Sequence, residues 1–181
     1  MTVRGWIVGL VFLAIGCQDE GVRVLRVPKP PARQTIAIIV PRTDAAWFLK
    51  LNGPADAVAA DETAFREFSS SVLFQDGDPP MKYTVPQGWK LDESEAAKGG
   101  MFRRFATYRT SNDSEVIITK LGAEANAVLP NVNRWRGEVG LEPIAESELD
   151  KLVTTIDVGG TKSTLVHVNG RSKIDKKPED R

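Results

Sequence analysis

The chain has 181 residues, with 24 Lys and Arg balanced by 24 Asp and Glu, one histidine and one cysteine. That balance leaves no broad basic field for nucleic acid, and none to hold an anionic membrane by charge alone. A single histidine cannot build a histidine-rich metal site, so neither metal nor cofactor is expected.

The first element is a short basic start, Met1 to Arg4, followed by an apolar run from Gly5 to Gly16. This is the pattern of an export signal. The run is too short for a membrane-spanning helix, which needs about 20 apolar residues. It ends at Ala14-Ile15-Gly16-Cys17, and Cys17 is the lone cysteine. Such an ending resembles the lipobox of bacterial lipoproteins, although Ala14 stands where Leu is commoner in that family. The resemblance implies that residues 1–16 are a signal peptide and that Cys17 becomes the first mature residue. Cys17 would then carry palmitate-type acyl chains, and the protein would be exported and membrane-anchored in the cell envelope. An acylated Cys17 leaves no thiol for a disulfide.

Residues 17–34 read as a lipid-anchored, proline-rich tether, because Val27-Pro28-Lys29-Pro30-Pro31 favours extended polyproline geometry. Val22, Val24 and Leu25 leave room for an edge strand there. Thr35 to Val40 and Ala46 to Leu51 form a hairpin around the turn cluster at Pro41 to Asp44. Pro54 suits the first turn of a helix over 55–70, whose stripe is Val58, Phe65, Phe68 and Val72. A strand is expected over Met81 to Val85, a turn at Pro86 to Trp89, and a loop over 91–100. Met101 to Thr110 and Glu115 to Leu121 form a second hairpin. Val128, Val132, Trp135 and Val139 lie on one helical face, with Gly140 as the stop. A short helix is expected over Glu146 to Val153. Strands at Thr155 to Val158 and Lys162 to Val168 then flank the tight turn Gly159-Gly160. Residues 171–181 read as a charged, disordered tail.

Strands in hairpins with helices between them argue α+β: an antiparallel sheet with flanking helices. One domain spanning 35–170 is expected, because 35–74 alone holds too little core to stand independently.

No motif defines a reaction. Asp157 to Ser163 lacks the spacing of a phosphate loop. His167 alternates with Val166 and Val168 and reads as a surface or satisfied histidine. Asp76-Gly77-Asp78 is a turn without the ligand set of a calcium loop. Ser69 to Ser71 has no nucleophile-elbow glycines around it. Asp44, Asp92, Glu93 and Glu115 lie near loops, and a paired-carboxylate hydrolase or transferase is the alternative reading that they leave open.

The most distinctive segment is Asn131 to Leu141. Val132, Trp135 and Val139 would face the core, while Asn131, Arg134 and Glu138 fall together on another side. Asn131, Asn133, Arg134, Arg136 and Glu138 are the candidate binding surface, since forked arginine and asparagine donors suit a carboxylate or phosphate.

Several segments carry a family resemblance: Trp47 to Pro54, Phe65 and Phe68, Tyr83 to Trp89, Arg104 to Thr107, and Asn131 to Leu141. Together they resemble exported, lipoprotein-like proteins of planctomycete-type bacteria over roughly residues 35–170, a likeness that carries no known activity. The Y-x-x-P-x-G-W opening at Tyr83 to Trp89 is similar to that of PsbP-like domains. That similarity implies an α/β/α sandwich and an accessory or assembly role. In PsbP-like domains this motif comes near the start, whereas here a hairpin and a helix precede it. The expected function is a non-enzymatic, lipid-anchored envelope protein that binds a protein or small anionic ligand.

Overall fold

The structure is a computed structural model that describes residues 31–96 and 104–171. The expected signal peptide, Cys17, the tether up to Pro30, residues 97–103 and the tail from 172 lie outside the described residues. The elements run β1 (Ala32–Pro41), β2 (Ala46–Pro54), α1 (Ala55–Ser70), β3 (Leu73–Phe74), β4 (Met81–Lys82), β5 (Lys90–Leu91) and α2 (Glu93–Ala96). The second half adds β6 (Arg104–Arg109), β7 (Glu115–Leu121), a 3-10 turn (Ala123–Asn126), α3 (Val128–Glu138), α4 (Glu146–Leu149), β8 (Val153–Val158) and β9 (Thr161–Arg171).

Seven strands form one antiparallel sheet in the order β5-β6-β7-β2-β1-β9-β8, and β3 pairs with β4 apart from it. The chain is therefore mixed α+β. The early hairpin occupies the middle of the sheet. β1 pairs with β9 from Ala32↔Arg171 to Ile39↔Thr164, and β2 pairs with β7 from Ala46↔Leu121 to Asn52↔Glu115.

Period-two alternation sorts these central strands into two cores. Ile36, Ile38, Val40, Trp47, Leu49 and Leu51 pack with Val58, Phe65 and Phe68 of α1. Ala37, Ile39, Ala46 and Phe48 pack with Val132 and Trp135 of α3 and Leu149 of α4. β1 and β2 are buried on both faces, which is why they read as nearly continuous apolar runs. The result is three layers: α1, the sheet, then α3 with α4.

The helix expected over 55–70 is α1 itself, but Pro54 stands at its cap rather than in its first turn. α3 ends where Gly140 takes φ +75°, a left-handed conformation that favours glycine. Gly159 and Gly160 have φ +57° and +74°, as a two-residue hairpin turn requires. Among the aromatics, Trp47, Phe65, Phe68, Trp89 and Trp135 are buried, while Phe105 is partly buried with its ring edge-on to Trp47 at 5.2 Å.

Other expectations need correction. β8 and β9 run past the strands expected at Thr155–Val158 and Lys162–Val168, and β6 ends at Arg109 and not Thr110. The strand expected over Met81–Val85 stops at Lys82, because the Thr84 N–H bonds the Ser71 hydroxyl (2.9 Å) at the end of α1. Residues 91–100 do not begin as a loop. Lys90 and Leu91 pair with Arg109 and Tyr108, and the Asp92 carboxylate then accepts the Ser94 N–H (3.1 Å), a capping arrangement ahead of α2. The helix expected over Glu146–Val153 ends at Leu149, since Val153 is already paired with Val166 in β8. β1 begins at Ala32 and not Thr35, because its ladder with β9 extends to Arg171.

Candidate binding cleft

On the face opposite α1, the core under α3 draws on β9, β1 and the start of β2. Beyond Phe48 that face opens into a cleft of about 390 Å³. Phe48 and Lys50 of β2 and Ile117, Thr119 and Leu121 of β7 form the sheet side. Asn131, Arg134, Trp135 and Glu138 form the helix side, and Arg104 of β6 closes the end.

Each placement follows from local geometry. Residues 48 and 50, and 117, 119 and 121, share a face by strand alternation. Residues 131, 134, 135 and 138 share a face by helical spacing. The β6–β7 register shifts between Arg104 and Ala106. This irregularity lets Phe105 pack on Trp47 in the opposite core while Arg104 lies across from Thr119.

The floor is apolar, with Phe48 and Trp135 edge-to-face at 6.3 Å. The rim is charged. The Glu138 carboxylate accepts from Lys50 Nζ at 3.1 Å and from an Arg134 terminal nitrogen at 3.1 Å. The other Arg134 terminal nitrogen donates to Asn131 Oδ1 (3.2 Å), and the guanidinium lies 5.4 Å from the Trp135 ring centroid. Arg104 donates to Glu115 at 3.1 Å. The Trp135 indole N–H is buried and has no hydrogen-bond partner among the described residues.

The structure divides the five candidate residues of the Asn131–Leu141 segment. Asn131, Arg134 and Glu138 line the cleft together. Asn133 turns away: its amide donates to the Ile144 carbonyl (3.0 Å) and accepts the Ile144 N–H (2.8 Å). Arg136 donates to the Glu142 carbonyl at 2.8 Å. These two residues hold the segment after α3 against the helix and are not part of the cleft. Asn131 also has a structural duty, since its amide donates to the carbonyls of Ala125 and Ala127, both at 2.8 Å.

Sequence reasoning missed the sheet side. The available signal was Lys50, a charge inside the apolar run Trp47-Phe48-Leu49-Lys50-Leu51. A lysine in a central strand needs a partner or an opening, and Lys50 has both.

The other sequence candidates resolve into structural roles. His167 is half-buried opposite Val166 and Val168, with Nε2 3.2 Å from Arg66. Arginine only donates, so Nε2 accepts. Asp157 bonds the Gly160 N–H (3.0 Å) within the β8–β9 turn. Ser69, Ser70 and Ser71 donate their hydroxyls to carbonyls of α1. Asp44 is exposed, 3.7 Å from Lys120, and Glu93 is exposed. Asp92 and Glu115 do meet at one group, Arg109, at 3.2 Å each. Hydrogen bonds from Ser94 first, and then from Arg109, hold the Asp92 carboxyl below its ordinary range. A carboxyl held ionised is poorly suited to act as a general acid near neutral pH. Among the described residues, no three His, Cys, Asp or Glu side chains come together as a metal site. No helix among these residues is long and apolar enough to cross a membrane.

Comparison with protein-family models, curated proteins and solved structures gives no significant match.

Proposed function

We propose that this chain is a lipid-anchored cell-envelope protein that binds a partner or small ligand in the α3 cleft and performs no chemistry of its own. The observation that carries this reading is the cleft, where an apolar floor meets a charged rim contributed by two strands and a helix. Sites of this composition and size are typical of ligand pockets. The basic start, apolar run and Cys17 support the anchor. The likeness of Tyr83 to Trp89 to PsbP-like accessory domains points the same way.

The test uses the full chain in its own cells, with a photo-crosslinking residue in place of Thr119 and the mass of the intact adduct as readout. A discrete adduct is expected. Arg134→Gln should reduce it several-fold, and Arg136→Gln should not, because Arg136 serves the Glu142 carbonyl. No adduct, or one indifferent to Arg134, overturns the cleft as a binding site. The anchor is tested separately. The native chain should stay with membranes through salt washes, and Cys17→Ser should leave an uncleaved or soluble species. A fully processed Cys17→Ser chain that still sediments with membranes defeats the lipid anchor.

A further inference from the structure

Building on that reading of the cleft, we infer that its ligand is a small amphiphile with an anionic head on an apolar body. The argument has three parts: size, floor and charge.

A space of about 390 Å³ lies in the range of small-molecule sites. Its floor is Phe48, Ile117 and Trp135, apolar surface that is covered favourably by an apolar body and poorly by a sugar or a free inorganic anion.

The rim decides the head. Lys50 and Arg134 share one carboxylate, Glu138. Glu115 answers Arg104, and also reaches Arg109, which Asp92 answers in turn. Among the described lining residues, a cationic ligand would have only Glu138 to pair with, and Glu138 is already shared. Among the described residues, the Arg134 fork gives one N–H to Glu138 and one to Asn131, and Lys50 gives one to Glu138. Both heads therefore keep donors to spare. The Arg134 guanidinium lies beside Trp135, so a carboxylate or similar head taking its remaining donors sets an attached apolar body on the aromatic floor.

The test uses the full acylated chain in discs of zwitterionic lipid, labelled with 5-fluorotryptophan, with the Trp135 fluorine signal identified by Trp135→Phe. The probes are 4-phenylbutyrate, its amide and its amine, which share a body and differ in head charge. The acid should move the Trp135 signal, the amide should bind about tenfold more weakly, and the amine should leave the signal in place. Arg134→Gln should weaken the acid about tenfold and bring it level with the amide. Should Trp135→Phe fail to fold, magnetisation transfer from the phenyl protons of each probe to the native chain supplies the same ranking. Equal binding of acid and amide overturns the anionic head but leaves the cleft as an apolar binding site. No response to any probe overturns the inference, while the Thr119 adduct decides the underlying reading independently.

Discussion

The two faces of the sheet are built from the same strands and finished differently. On the α1 face, a helix of 16 residues covers a core dense in rings. Phe68 touches Phe65 (6.4 Å between centroids), Tyr83 (5.2 Å) and Trp89 (5.3 Å). Two polar pairs that enter this face are answered. Asp61, buried in α1, accepts from Thr110 (2.7 Å) and Asn112 (2.8 Å) in the β6–β7 turn, and the Tyr83 and Tyr108 hydroxyls bond each other at 3.0 Å. On the other face the helix has 11 residues and packs mainly over aliphatic side chains with Phe48. Where that core ends, a lysine enters β2 and the cleft opens. One face therefore invests its surface in stability, and the other leaves part of its surface for recognition.

The sharpest way to break this comparison is to cut into each face and compare the costs. Phe68→Ala removes a ring that is 1 % exposed and touches three others, and it should cost about 3–5 kcal/mol in urea unfolding. Arg134→Gln removes a half-exposed ion pair and should cost under about 1 kcal/mol while impairing the cleft. If both variants cost the same, the cleft rim is part of the scaffold and the contrast between the faces is lost.

A smaller effect separates the two sides of α3 itself. Asn133→Ala removes both hydrogen bonds to Ile144, one of them the acceptor for a part-buried N–H, and should cost about 1–3 kcal/mol. Amide exchange at Ile144 should speed up, and binding in the cleft should persist. If ligand binding falls as steeply as with Arg134→Gln, Asn133 belongs to the recognition surface after all.

How much of this was legible in the sequence depends on the range of the interaction. The stripe Val58, Phe65, Phe68 and the pair Gly159-Gly160 are local patterns, and the sequence reading placed them. The grouping of Asn131, Arg134 and Glu138 was also local, since helical spacing alone puts them together. Their opposite wall was not. Arg104 reaches the cleft through a register irregularity, and Lys50 reaches Glu138 across 88 positions of sequence. The same limit explains Tyr83 to Val85. These residues read as strand by composition, but the Thr84 N–H is taken by a helix-end serine 13 positions away. Asn133 and Arg136 fitted an anion-binding pattern by residue type, and only the return of the chain at Glu142 and Ile144 shows that each gives a donor to backbone there.

The smallest expected effect reports on one face alone. The chain has two tyrosines, Tyr83 and Tyr108, and both lie on the α1 side, bonded to each other. Burial first, then the hydrogen bond and charge of Tyr108, push the Tyr83 phenol above its ordinary value of about 10. A phenol raised in the folded state favours folding while it stays protonated. Its contribution is complete below the unfolded value and is lost as pH rises through the folded one. The urea midpoint should therefore lose this contribution only above about pH 10. Phenolate absorbance should lag behind that of free tyrosine until the α1 face opens. Tyr83→Phe keeps the edge contact with Phe68 but has no proton to lose, so its midpoint should decline less over the same range. An identical decline in both proteins would place the alkaline sensitivity outside the Tyr83 phenol.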